Sequence, residues 1–203
     1  TALTLGQNKA QVKPSSDSGD AFLVEASDGT NLLTVDTTNS AVKAGSTQSY
    51  VNTQVKEFGV FDMSPTAGHH YPMVSMNSLN SDTSGADFAA VSFGTGTDPA
   101  TTLTLSSAAE LVVPTYWYIP TAITIDEIRV IASADGATTL NFHLFSYDMA
   151  TGTGSGAGDL SSGTLLAHNG SALTAGDDRI TSTTLTVDSA DVVADKVILA
   201  LVE

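Results

Sequence analysis

The histidines are the first residues in this sequence that could do chemistry. His69 and His70 are adjacent and lie between Gly68 and Pro72, which predicts an irregular loop, and imidazole is a common ligand of transition metals. Asp62 adds a nearby carboxylate. Zinc sites in proteins usually have three or four protein ligands, and no further His or Cys has a suitable spacing. We therefore predict no metal site here and favour a polar loop or a subunit contact.

Aspartates are the second group of candidates. Asp188, Asp191 and Asp195 recur over a short stretch before the predicted last strand, and Asp177 and Asp178 follow a glycine. Carboxylate oxygens on flexible loops are the ligands that Ca²⁺ prefers, but this spacing does not match an EF-hand loop. We predict no cofactor, and calcium is the one ion that the composition leaves open.

Nucleophilic catalysis has little support in the sequence. There is no Gly-x-Ser-x-Gly elbow, and the 23 serines make chance pairings with histidine or aspartate easy. His143 lies in an apolar strand pattern, and His168 precedes Asn169-Gly170, a pair typical of hairpin turns. We therefore predict that the protein is not an enzyme.

The only aromatic cluster is Tyr116-Trp117-Tyr118. In a strand, alternation would point Tyr116 and Tyr118 to one side and Trp117 to the other. An exposed strip of this kind could stack on sugar rings, which makes the three residues candidate glycan contacts. The alternative that we favour is that they fill a core or a subunit interface.

Composition and charge indicate which elements must position these residues. Ser, Thr and Gly make up a third of the chain, which suits strands and turns and excludes a transmembrane helix and a coiled coil. Net charge is −15. Residues 1–56 carry four lysines and five acids, whereas residues 57–203 carry three basic and 17 acidic residues. The acidic part would repel nucleic acid and anionic membranes, so we predict neither as a partner.

The first quarter of the chain divides into two predicted parts. Residues 1–20 are polar, with Pro14 and a Ser/Asp cluster, and predict an extended arm. Residues 21–56 predict a small stem-like unit of three short strands and a linker, because Phe22 and Val24 alternate, Asp28-Gly29 is a turn signal, and Leu33 and Val35 alternate again. Such a unit is too small to hold a core alone, so its partners would be its own copies or another protein.

Residues 57–203 predict one antiparallel β-sandwich or jelly roll of about eight strands. Ile123 and Ile125 alternate on odd-numbered positions, whereas Ile128 and Val130 alternate on even-numbered positions. The alternation of apolar residues is therefore shifted by one residue between the two pairs. That slip at Asp126-Glu127 predicts a β-bulge. The chain is therefore predicted to be all-β, with an arm, a stem-like unit and a sandwich.

Two stretches give a resemblance to a known class of proteins. Residues 22–36, with Ala41-Val-Lys-Ala-Gly45, resemble the strand-turn-strand units of fibre stems and surface proteins of tailed bacteriophages. Residues 118–128, followed by a long Gly-rich loop, look like β-sandwich domains of phage virion proteins. The resemblance implies a non-enzymatic virion component that forms a homotrimer. Only one stem unit is present, which suits a capsid decoration or cement protein better than a long fibre.

The resemblance also implies where the protein attaches and where it is located. The lysine-bearing N-terminal part would face the major capsid protein or another virion protein, and the acidic sandwich would face solvent on the capsid surface. The residues expected to make capsid or subunit contacts are Lys9, Lys13, Phe22, Val24, Leu33 and Val35. One alternative is a short tail fibre or receptor-binding tip that contacts host glycans. The other is a carbohydrate-binding module that uses the aromatic cluster.

Overall fold

The chain is all-β, and its strands pair in antiparallel sheets. The computed structural model describes residues 2–6, 9–38, 40–45, 49–50, 54–60, 63, 66–75, 91–105, 113–152, 154–176 and 178–203. In these ranges the one helical element is a 3-10 turn at Val113–Thr115, and no helix is long and apolar enough to cross a membrane. The chain forms two compact units, Thr1–Val55 and Lys56–Glu203, which we call the first and second units.

The first unit consists of a hairpin and a four-stranded sheet. Its strands are β1 Ala2–Gly6, β2 Lys9–Lys13, β3 Phe22–Glu25, β4 Asn31–Asp36, β5 Ala41–Ala44 and β6 Ser49–Tyr50. β1 pairs with β2, and the sheet has the order β3-β4-β5-β6. The extended arm expected over residues 1–20 is therefore wrong for residues 2–13, which pair with each other as a hairpin.

The turn between β3 and β4 shows why this sequence makes a hairpin. Gly29 has a φ of 84°, a conformation that costs glycine little. The Asp28 carboxylate accepts a hydrogen bond of 2.9 Å from the Thr30 N–H, and this bond lowers the pKa of Asp28. The backbone N–H of Ala26 donates to the Thr30 carbonyl and closes the loop. The predicted turn at Asp28-Gly29 is thus confirmed.

The second unit is built around one six-stranded sheet. Its strands are β7 Phe58–Gly59, β8 Tyr71–Pro72, β9 Val74–Ser75, β10 Trp117–Ile119, β11 Ile123–Thr124, β12 Arg129–Ala132, β13 Thr138–Leu140, β14 Phe142–Met149, β15 Leu160–His168, β16 Leu173–Ala175, β17 Thr181–Thr184, β18 Thr186–Val187, β19 Asp191–Val192 and β20 Lys196–Val202. The six-stranded sheet has the order β10-β20-β14-β15-β18, and β8 also pairs with β20. Two-stranded sheets join β7 with β9, β11 with β19, β12 with β17, and β13 with β16.

The central strands of this sheet are buried on both faces. Every residue of β20 from Val197 to Val202 is buried. Alternate side chains enter two different apolar clusters: Ile198, Ala200 and Val202 join the first, and Val197, Leu199 and Leu201 join the second. β14 does the same, since Phe142 and Leu144 lie in the first cluster and Phe145 and Tyr147 in the second. Each face of the sheet therefore has its own core.

The phase slip near Asp126 and Glu127 is not a β-bulge. The chain forms two short strands there, β11 and β12, which pair with different partners, β19 and β17. Residues 125–128 between them are outside any strand. The apolar residues on both sides of the slip pack partly buried against the first cluster, namely Ile123, Ile125, Ile128 and Val130. The slip thus marks the point at which the chain changes its pairing strand, while the apolar residues before and after it stay packed on the first cluster.

The segment 91–105 covers part of the second cluster. Phe93 and Val91 are buried in it, and Leu103 pairs with Leu160 by two backbone hydrogen bonds of 2.8 and 2.9 Å. The Tyr147 hydroxyl donates to the Ala100 carbonyl at 2.9 Å, so the ring is buried and its hydroxyl is paired. Burial raises the pKa of Tyr147.

We predict that Gly163 is required for this close packing. A Cβ at that position would lie 2.6 Å from Tyr147 Cε1 and 2.7 Å from the Thr101 backbone Cα, both too short for van der Waals contact. Gly163→Ala should lower the free energy of unfolding by about 1–3 kcal/mol, measured by urea denaturation followed by circular dichroism. Gly136→Ala is the matched control, because a Cβ there contacts nothing within 4 Å. Equal midpoints for the two variants would contradict the prediction.

Candidate functional site

The sheet of the first unit carries a continuous apolar face. The register of β3, β4 and β5 places Phe22 opposite Val35, and Val24 opposite Leu33. It also places Val42 opposite Val35 and Ala44 opposite Leu33, and residues directly opposite each other share a face of the sheet. The four apolar residues predicted to make capsid or subunit contacts thus lie on one surface. We call this surface the apolar face, formed by Phe22, Val24, Leu33, Val35, Val42 and Ala44.

In an ordinary half-buried sheet the apolar face is buried, whereas in this sheet the apolar face is the exposed one. On the apolar face, Phe22 is 40% exposed and Val42 is 42% exposed. On the other face, Asp36 is only 2% exposed, and its carboxylate accepts a 3.1 Å hydrogen bond from Lys43 Nζ. Buried polar groups of this kind are stable when they are paired. The sheet therefore presents its apolar side chains outward.

One end of the apolar face continues into an open groove. The groove lies beside Phe22 and Val35 on the sheet and is lined further by residues of the preceding chain and of the turn after β4, namely Val12, Pro14, Ala21 and Thr37. The backbone N–H of Thr37 donates to the Ser18 carbonyl at 2.9 Å and connects the two sides. The groove is mostly apolar, so it extends the apolar face toward β2.

The two lysines predicted as attachment residues lie at opposite ends of β2. Lys9 pairs with Gly6, and Lys13 pairs with Ala2. Lys13 is exposed, so its charge is available to a partner. The structure gives them a common strand next to the groove, and their contact with a capsid stays a prediction.

The three aromatic residues do not form one exposed strip. Trp117 packs against the first cluster and meets the Phe58 ring edge-on at 6.4 Å. Tyr116 packs against the second cluster, and burial raises its pKa to about 12. Tyr118 is half exposed, and its hydroxyl donates a 2.5 Å hydrogen bond to the Asp195 carboxylate, which raises the pKa of Tyr118. Only one ring is therefore available to stack on a sugar.

The aspartates near the last strand hydrogen-bond to different partners. Asp188 contacts His168 Nδ1 at 2.7 Å, and Asp191 accepts a 2.9 Å bond from the Thr124 hydroxyl. Asp177 lies outside the described residues. Among the residues that are described, no group of three or more His, Cys, Asp or Glu side chains could hold a metal ion.

Three of the four histidines, His70, His143 and His168, have their rings together at one end of β14, a grouping that the sequence did not suggest. His143 and His168 are register partners on β14 and β15, with stacked rings 6.4 Å apart. The His70 ring meets the His143 ring edge-on at 4.9 Å, while His69 stacks on Tyr71 and contacts the Ser92 hydroxyl at 3.0 Å. The adjacent histidines therefore serve different contacts. No sequence spacing could have indicated the cluster, because its members come from three separate elements.

No protein-family model, curated protein or solved structure matches this chain. The exposed apolar face is therefore the feature from which we infer a function.

We predict that Trp117 is a core residue and not a glycan ligand. Trp117→Ala should lower the free energy of unfolding by about 3 kcal/mol, because it removes a large side chain from the first cluster. Tyr118→Ala should have a clearly smaller effect, since that ring is half exposed. Urea unfolding followed by circular dichroism measures the stability of both variants, because this signal does not depend on tryptophan fluorescence, which Trp117→Ala removes. Unchanged stability of Trp117→Ala would contradict this assignment.

Proposed function

We propose that this chain is a non-enzymatic structural protein of a tailed-bacteriophage virion, most simply a trimeric capsid decoration or cement protein attached through its N-terminal part. The observation that carries the proposal is the exposed apolar face of the first unit. Exposed apolar patches rimmed by polar residues mark interaction sites. The resemblance of residues 22–45 to stem units of phage surface proteins supports the virion assignment.

The assembly that we propose uses the apolar face between copies of the chain. Phe22, Val35 and Val42 lie side by side across three strands, so three sheets packed around an axis would bury them together. A closed symmetric trimer satisfies such a surface without leaving an open edge. Val12 and the lysines of β2 would then be available to the capsid surface.

The charge distribution favours this division of roles. Residues 57–203 carry a net charge of −14, whereas residues 1–56 carry −1. Copies that met through their acidic parts would repel each other, whereas contacts through the near-neutral part avoid this repulsion. The acidic part then faces solvent on the particle and keeps it soluble.

For the second unit we propose a β-sandwich as the finer architecture. The two-stranded sheets that contain β11, β12 and β13 contribute side chains to the first cluster, opposite the six-stranded sheet. Such a sandwich could be displayed on the particle surface as a rigid unit, a structural role that requires no catalytic group.

We predict that a charge on the apolar face prevents trimer formation. The wild-type protein should have a solution mass of about three times 20.8 kDa by light scattering. Val42→Glu should raise the dissociation constant at least about 100-fold, because the carboxylate would be buried without a partner. Leu32→Glu is the matched control, since Leu32 is 49% exposed and lies on the opposite face of the same sheet. A wild-type monomer, or equal dissociation of both variants, would contradict the proposed interface.

We also predict that residues 1–20 are needed for binding to the particle. Their deletion removes β2 and one wall of the groove, so binding to virions that lack this protein should be lost while the second unit keeps its circular dichroism spectrum. Lys9→Glu with Lys13→Glu should slow the binding mainly at low salt. Unchanged binding by the truncated protein would refute attachment through this part.

The copy number in purified virions decides between the head and the tail. A decoration protein should be present in numbers comparable with the major capsid protein, as quantified by mass spectrometry. A small number of copies per particle would instead place the chain in a tail fibre or receptor-binding tip.

A further inference from the structure

The end of β14 is covered by a small loop that rests on two buried histidines. His70 is fully buried and His143 is 5% exposed. Three hydrogen bonds join His70 to Phe93 and to the loop, which consists of residues 94–98. The His70 N–H donates to the Gly94 carbonyl at 3.1 Å, the Phe93 N–H donates to the His70 carbonyl at 2.8 Å, and His70 Nε2 contacts the Gly96 carbonyl at 2.9 Å. The loop therefore depends on His70 for its position.

Each of these histidines has one ring nitrogen that is buried without a hydrogen bond. In the described part of the chain, neither Nδ1 of His70 nor Nδ1 of His143 has a partner. A neutral imidazole can leave one nitrogen without a proton, but a protonated ring carries an N–H on both. Proton uptake by His143 would therefore create a buried Nδ1–H donor that lacks an acceptor, together with a buried charge, and both are costly.

Each element that is packed against His143 contributes a titratable group to its surroundings. His70 precedes β8, His168 is on β15 and is itself paired with Asp188, Asp98 belongs to the loop, and Glu203 follows β20. Asp98 Oδ1 is 3.7 Å from His143 Nε2. The two carboxylates favour a protonated His143, while burial and the two neighbouring histidines oppose it.

We propose that His143 is an acid-sensitive contact that controls the loop 94–98: proton uptake by His143 opens the loop and admits water to the two buried histidines. The loop is the part that yields, because most of its residues are exposed and the hydrogen bonds that the described residues give it go to His70 and to the Ser92 hydroxyl. The segment after it is held elsewhere, by the backbone pairing of Leu103 with Leu160. The opening is therefore local.

The direction of the pH dependence follows from the pKa of His143. Burial, then the nearby His70, lowers this pKa from 6.5 to about 4. A histidine with a lowered pKa stabilises the closed form fully above its ordinary pKa, and the contribution is lost as the pH falls from about 6.5 towards about 4. The loop should thus be closed at neutral pH and open progressively in that window.

Amide hydrogen exchange resolved by NMR tests the proposal on the intact chain. The reporters are the amides that close the loop: His70, Phe93 and Ala100, the last of which donates to the Phe93 carbonyl. Their exchange, corrected for the intrinsic effect of pH, should rise at least about tenfold between about pH 7 and about pH 4.5. The amides of Leu103 and Gly163, which bond outside the loop, should not change.

Two variants separate His143 from its neighbours. His143→Phe keeps an aromatic ring and removes the proton site, so the rise at the three reporter amides should disappear. His69→Gln is the matched control, because His69 is adjacent to His70 but contacts Ser92, and it should behave as wild type. A rise that persists in His143→Phe, a rise shared by all five amides, or no rise in wild type would each overturn the proposal.

A second measurement keeps the proposal testable where His143→Phe fails to fold. The side-chain resonances of wild-type His143 report its protonation during an NMR pH titration. The midpoint for His143 should coincide with the midpoint for exposure of the Phe93 amide. Separate midpoints would show that another group opens the loop.

Discussion

Much of the second unit depends on one constraint: β20 has apolar side chains on both faces, so both faces must be covered. Val197 to Val202 are buried throughout, and a strand with two buried faces reads as a continuous apolar run. One face is covered by the strands after β10, and the other partly by the segment 91–105. The close contact at Gly163 and the loop on His70 both result from that second cover, which has to fit against the sheet without strand pairing along most of its length.

The first unit solves the opposite problem. Its sheet is too small to bury both faces. The buried face carries the paired Asp36 and Lys43, whereas Phe22 and Val42, which would ordinarily be buried, lie on the exposed face. A single chain gains little from an exposed apolar face, because the hydrophobic contribution depends on area removed from water. The arrangement gains free energy when a second surface covers that face. This asymmetry is the physical basis of the proposed assembly.

Local signals made the β3–β4 hairpin of the first unit predictable, whereas the hairpin of residues 2–13 was missed, and non-local contacts explain what the sequence missed in the second unit. Asp28-Gly29 fixes its turn with side chains and a backbone conformation within five residues, so the register that aligns Phe22 with Val35 follows from the sequence. The slip at Asp126 was read as a bulge because periodicity reports a change of phase and not a change of partner. The histidine cluster had no sequence signal, since His70 and His143 meet only when two distant strands enter one sheet.

The position of β20 also has a consequence for how the chain is made. β20 lies between β14 on one side and β8 and β10 on the other, yet its residues are synthesised after all of them. Until residues 196–202 have left the ribosome, those strands have no shared partner, and each cluster lacks the three buried residues that β20 contributes to it. Pairings between residues far apart in sequence form slowly, so nascent chains expose apolar strands for an extended time. The high content of acidic residues in this unit then limits association between chains during synthesis.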